Sequence, residues 1–440
     1  MTKKAVFFND AFKAVYGLIC KENFPEGVVP IVIRDVYGRI RIALKNGDKE
    51  KHQEIAIRLE REMSKMAPFY GNQGKGVLFP DDFFDPEAIF EHPAILDFYL
   101  PGADTPMRLL DRQIVGQDWL RPSVSKPKQH RIVFFGLKGG VGRSTALAIF
   151  AYHLARSGKK VLLVDFDLES PGLSGLLMPP ERLADFGIVD WFIEDGVGQG
   201  DDVLARMVSI SPLSEHTQGE IRVAAAMGLE EGFYLSKLSR VYADVSHNNR
   251  TEGFSERANR LIKALEVQEN PDVVLIDSRA GLHDLAAVSI MGLSTIALLF
   301  AVDSAQTWQG YRLLFSQWQC YPAMLKMIRD RLVLVEALFP ETDQADRADL
   351  FLENAYTLFS DTIYEQIQPG KSPDPLVFNF DINDTSSPHY PLRIKWSARF
   401  QELNPLLLAK GIITEADIIA AFGDFINGLK DRIEIEGETT

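Results

Sequence analysis

The sequence predicts an α/β protein: a mostly parallel, doubly wound sheet with helical insertions, preceded by a small N-terminal α/β domain. Three observations predict it. The apolar run 131–135 enters a glycine-rich turn and then a stretch free of helix breakers until Ser157 and Gly158. The segments 161–164, 273–276 and 295–302 are continuous apolar runs, the pattern of strands covered on both faces. Helical patterns separate these runs, as crossovers between parallel strands require.

Bulk properties narrow the class. The chain has 440 residues, 46% of them hydrophobic and 25% charged, enough for two units with ample core. No apolar run approaches the ~18 residues that span a bilayer, so no membrane association is expected. The only cysteines, Cys20 and Cys320, have no neighbouring thiol, which fits a reducing cytoplasm and excludes a disulfide scaffold. Net charge is −14 and unevenly placed: residues 1–130 hold 19 basic and 18 acidic side chains, the remainder 28 and 43. An acidic second half argues against nucleic acid as a partner, because sequence-independent DNA binding rests on phosphate neutralisation.

In chain order, segments 28–33 and 39–44 read as two strands joined by a turn at Asp35-Val36-Tyr37-Gly38. Ile55, Leu59 and Met63 recur at helical spacing. Segment 121–128 has linker composition, and the domains are expected at 1–122 and 130–440. The second domain begins with the strand, turn and helix described above. A strand follows at 161–167, a largely helical stretch containing one strand at 221–225, then strands at 273–277 and 295–302. Residues 308–367 read as a long helical region, 375–380 as a returning strand and 391–394 as a last one. The C-terminal ~40 residues read as helix with an acidic tail at 434–438, which an anionic membrane would repel. Trp191, Trp308 and Trp318 read as core.

The turn itself carries chemistry. Lys138-Gly139-Gly140-Val141-Gly142-Arg143-Ser144-Thr145 follows a strand and opens a helix. Glycines let backbone N–H groups converge on phosphate oxygens, and the helix dipole points its positive end at the same place. This is the arrangement of a P-loop NTPase, with Ser144 placed to ligate Mg²⁺ and Arg143 where the lysine usually stands. Asp277 ends a buried strand, where a carboxylate is costly unless a cation partners it. Asp165 and Asp167 end another.

These residues resemble the deviant Walker A ATPases, ParA, MinD and their relatives, whose signature is Lys-Gly-Gly-x-Gly-Lys-[Ser/Thr]. Segment 161–167 resembles their second strand, which ends in a switch aspartate, and 272–281 their Walker B strand and second switch. The resemblance spans about 130–310. It implies ATP and Mg²⁺ as ligands, with Gly139 to Thr145 cradling phosphates and Ser144, Asp165 and Asp277 serving the metal. It implies that Asp167 positions the attacking water. It implies that Lys138 crosses a homodimer formed on ATP binding to reach the other subunit's nucleotide. The function so implied is a slow ATP hydrolase used as a dimerisation switch, controlling a protein partner docked on the N-terminal domain or the helical insertions. Alternatives are a non-hydrolysing nucleotide-bound adaptor and a DNA-partitioning ATPase. Two departures stand out. Arg143 replaces the usual lysine, and Asp277-Ser278-Arg279 stands where the family has Asp-Thr-Pro, leaving Arg279 as a phosphate sensor, a cross-dimer group or a plain salt bridge. Asn379, near an expected strand end, is the candidate for base recognition.

Overall fold

A computed structural model describes all residues except 1–4, 72–73, 123–126, 128, 230–231, 248–249, 368–376, 402 and 435–440. The chain forms two compact units: Met1–Gln117 with Ser316–Leu325, and Asp118–Phe315 with Lys326–Thr440. These differ from the expected domains chiefly in returning residues 316–325 to the first unit. Most of the expected linker, and residues 435–438 of the acidic tail, lie outside the described residues.

The first unit is a five-stranded sheet of β1 (Val29–Arg34), β2 (Ile40–Lys45), β3 (Val77–Leu78), β4 (Ile95–Phe98) and β5 (Met107–Asp111), in the order β3-β2-β1-β5-β4. The expected turn joins β1 to β2: the Asp35 carboxylate accepts the backbone N–H of Tyr37 and Arg39, and Gly38 takes φ +80°. A helix at Gln53–Met66 buries Ala56, Leu59 and Met63, one stripe at helical spacing. Three strands and the helix Phe8–Lys21 escape the sequence reading. Residues 316–325 join this unit through Tyr321, whose ring meets Phe98 edge-on at 5.5 Å, and through the Cys320 carbonyl, which accepts Tyr99 N–H at 2.9 Å.

The second unit is built on an eight-stranded sheet: β6 (His130–Gly136), β7 (Lys160–Phe166), β8 (Val208–Ile210), β9 (Glu220–Ala224), β12 (Val273–Ser278), β13 (Ile296–Ala301), β14 (Leu332–Phe339) and β15 (Leu392–Lys395). A separate ribbon pairs β10 (Val245–His247) with β11 (Arg250–Glu252). The order is β15-β14-β13-β6-β12-β7-β9-β8, parallel throughout except for the antiparallel edge strand β8. The central strands β12 and β13 are buried along their whole length, as the unbroken apolar runs require. The helix Arg143–Arg156 buries ten of its residues, among them Ala146 to Tyr152 without a break, so little of its circumference is left for solvent.

Two expectations need correction. Residues 308–367 are not one helical region: β14 runs through them, paired with β13 on one side and β15 on the other, and the pairing overrides a locally ambiguous pattern. Of the expected strand 375–380, residues 375 and 376 lie outside the described residues and 377–380 form no strand. Trp191 and Trp318 are buried as expected, whereas Trp308 is half-buried.

Candidate active site

The site begins where β6 ends. Parallel strands β6, β7 and β12 lie side by side and bring three loops to their carboxyl edge, where open α/β sheets bind ligands. The loop after β6 is 137–142. Gly140 and Gly142 have φ of +74° and +81°, a conformation that L side chains resist, and Gly142 caps the following helix. Among the described residues, no atom outside the adjoining ones would lie within 4 Å of a Cβ at Gly139 or Gly140, so the backbone there stays open to an incoming group.

The ends of β7 and β12 and the loop after β7 supply the acids: Asp165 and Asp277 lie within the strands and Asp167 just past β7. Ser144 Oγ donates to Asp277 Oδ2 at 2.6 Å, joining the first turn of the helix to the end of β12. The other Asp277 oxygen is buried and has no hydrogen-bond partner among the described residues, and the same is true of Asp167 Oδ1. Burial raises the pKa of Asp277 against the opposing pull of Arg143 and Ser144. Asp167 is also pushed up by burial, with Arg143 and Arg279 pulling the other way. Asp165 is driven up to about 8 by burial and then by the neighbouring Asp277 charge. Both of its oxygens accept backbone N–H groups, from Asp167 at 3.3 Å and Leu173 at 3.1 Å, so it ties down the loop it precedes.

Arg143 turns inward. Its guanidinium donates to the Ser278 carbonyl and lies 3.6 Å from Asp167 Oδ2, while its side chain is 8% exposed. One cation thus touches the loop after β7 and the end of β12 together, which spacing along the chain does not reveal. Arg279 pairs with Glu169, which also accepts from Tyr242 OH at 3.2 Å. Neither Glu169 nor Tyr242 is marked by any motif. Lys138 is half-buried beside the glycines, and Val141 is buried under the loop. Asn379 ends no strand. Its side-chain amide donates to the Glu365 carbonyl at 2.8 Å, tying its segment to the chain just past the helix Gln344–Thr362. The element that borders the cradle is instead the end of β14, where Leu338, itself at φ +54°, lies 3.8 Å from a Cβ built on Gly142.

The residues present suit a hard cation. An orphaned carboxylate oxygen on Asp277 sits beside a hydroxyl that is its hydrogen-bonded neighbour, and oxygen donors are what Mg²⁺ takes. Among the described residues no cluster of three or more His, Cys, Asp or Glu forms a self-contained metal cage. A P-loop metal needs none, since Mg²⁺ characteristically binds through one or two protein oxygens and substrate phosphates.

Comparisons with known proteins agree with this geometry. A family model described as the CobQ/CobB/MinD/ParA nucleotide binding domain matches residues 132–312. The chromosome-partitioning ATPase Soj of Thermus thermophilus is 46% identical over 57 residues, 13% of this chain and 23% of that protein. A putative arsenical pump-driving ATPase of Aquifex aeolicus is 57% identical over 37 residues, 8% of this chain and 12% of that one. The matches therefore span less than a quarter of these relatives' length. A solved structure of pNOB8 ParA bound to nonspecific DNA aligns with 70% of this chain and 99% of its own at 16% identity, with a TM-score of 0.41. Residues 132–312 therefore match the CobQ/CobB/MinD/ParA nucleotide binding domain, and over this stretch the chain is ParA/MinD-like.

Proposed function

We propose that this protein binds Mg-ATP in the 138–145 loop, hydrolyses it slowly, and pairs with a second copy in the ATP-bound state to control a partner protein. The observation that carries the reading is the pair of carboxylates, buried Asp277 and half-buried Asp167, each with one oxygen unsatisfied among the described residues, gathered around Ser144 and Arg143 at the positive end of a helix. Backbone N–H groups of 139–145 hold phosphates. Ser144 and Asp277 would hold Mg²⁺, which supplies charge neutralisation at the phosphates. Asp165 fixes the loop, and Asp167 orients water for attack. Lys138 is assigned to the second copy's nucleotide. Asn379 stays the base-recognition candidate only if it releases Glu365. The partner is placed on the N-terminal unit or the helical insertions, and the cytoplasm is the proposed compartment.

Slow turnover follows from Arg143. A guanidinium committed to Ser278 and Asp167 must rearrange before it clamps a phosphate, and it is larger and more planar than the lysine it replaces. The same observation favours a second reading, an adaptor that holds nucleotide without hydrolysing it. Mg-dependent phosphate release that disappears in Asp167→Ala supports the hydrolase. Tight nucleotide binding with no release in either protein supports the adaptor. DNA binding has the partitioning relative in its favour and the acidic second half against it; a gel shift on arbitrary duplex at low salt with ATP reads it directly.

A further inference from the structure

The loop after β7 and the loop after β12 are fastened to each other by side chains outside the phosphate-binding motif. Arg279 Nη1 contacts Glu169 Oε1, and the same oxygen accepts Tyr242 OH at 3.2 Å and lies 3.6 Å from His283 Nε2. One residue earlier, Tyr234 OH donates to the Leu168 carbonyl at 2.7 Å. Gly281 N–H donates to the Gly136 carbonyl at 3.0 Å, which holds the loop bearing Arg279 against the start of the phosphate cradle. The Arg279–Glu169 pair is poorly settled. The two side chains remain 27% and 31% exposed. A partly exposed ion pair of this kind is weak. A guanidinium prefers the bidentate geometry that a phosphate offers.

We infer that Arg279 is the residue that distinguishes a nucleoside triphosphate from a diphosphate, held in reserve by Glu169 until a terminal phosphate draws it away. The inference rests on the reading that the 138–145 loop binds nucleotide. It makes the Glu169–Arg279 clasp a brake on triphosphate binding, because the triphosphate must win Arg279 from Glu169 whereas the diphosphate has no terminal group to compete for it. Releasing the clasp frees both loops at once, so the two report the same event.

The test is equilibrium binding of Mg-AMPPNP and Mg-ADP to the full chain, by fluorescent-nucleotide displacement, in wild type, Glu169→Gln, Arg279→Gln and Arg279→Lys. Glu169→Gln is expected to tighten AMPPNP by about fivefold or more, and Arg279→Gln to weaken it similarly, with ADP held within about twofold in both. Arg279→Lys should fall between wild type and Arg279→Gln. An AMPPNP-to-ADP ratio that is the same in all four proteins overturns the inference. Absence of nucleotide binding in wild type overturns the underlying reading instead. Hydrogen exchange without nucleotide gives an independent readout. Faster exchange at both 168–172 and 279–283 in Arg279→Gln is expected, and unchanged protection at either loop overturns the clasp.

Discussion

Replacing Asp277 by asparagine separates what this residue does for a ligand from what it does for the fold. The carboxylate is 3% exposed, with one oxygen satisfied by Ser144 and the other by no group among the described residues. An unpaired buried charge costs several kcal/mol, and an unpaired buried amide only about 1–3 kcal/mol. Asparagine keeps an acceptor for Ser144 and exchanges the first cost for the second. Ligand-free stability at pH 7.5 should therefore stay level or rise by up to about 2 kcal/mol, a reversal of the usual sign for a buried polar substitution. Because burial raises the Asp277 pKa, the folded state holds that proton more tightly than the unfolded chain does. The wild type accordingly loses stability as pH climbs above the ordinary carboxylate range, and the variant loses less. Nucleotide reverses the comparison. Wild type should gain about 2.7 kcal/mol from Mg-ATP at a hundred times its Kd, and the variant should lose most of the Mg-dependent part. Denaturant titrations with EDTA, with ATP and EDTA, and with Mg-ATP measure each term. A ligand-free variant weakened by more than about 2 kcal/mol, or one that keeps the full Mg-dependent gain, would refute the assignment of Asp277 as a metal-facing carboxylate.

Two further predictions concern the scaffold around the site. Arg131, at the start of β6, makes two 2.6 Å bonds to buried Glu266 and a third to Asn259, so Arg131→Met alone should cost about 3–5 kcal/mol. The double variant Arg131→Met/Glu266→Leu should recover most of that loss in denaturant titration; a double variant as weak as the single one contradicts a pure pairing cost. Burial pushes the Asp118 carboxyl up to about 6 from 3.8, so the unfolded chain ionises before the folded one. Stability should fall by up to about 3 kcal/mol between pH 4 and 6 on this account, and Asp118→Asn should flatten that part of the pH profile.

What the sequence made legible was local. The cradle could be read because strand, glycine turn and helix follow one another within 27 residues, from His130 to Arg156, and each has its own chemical signature. Runs of apolar residues marked β6, β7, β12 and β13, since strands covered on both faces have nothing to alternate. β14 was hidden for the opposite reason. Leu332–Phe339 carries Glu336 in its middle, tolerated only because Arg393 of β15 reaches it at 2.7 Å from 57 residues away. The return of residues 316–325 to the first unit depends on rings at Phe98 and Tyr321 meeting across more than two hundred residues. Arg143 could be recognised as a departure, but its commitment to Ser278 and Asp167 is a property of three loops brought to one sheet edge. Glu169 and Tyr242 belong to the same category. Asn379 failed as a strand-end residue because its strand does not form among the described residues, and the edge of the cradle went to Leu338 instead.

The most direct measurement is the solution mass of the purified protein by light scattering, with Mg-ATP, with Mg-ADP and without nucleotide, for wild type and Lys138→Ala. The account predicts a dimer only in Mg-ATP, lost in the variant while nucleotide still binds. A mass indifferent to nucleotide and to Lys138 would contradict the switch.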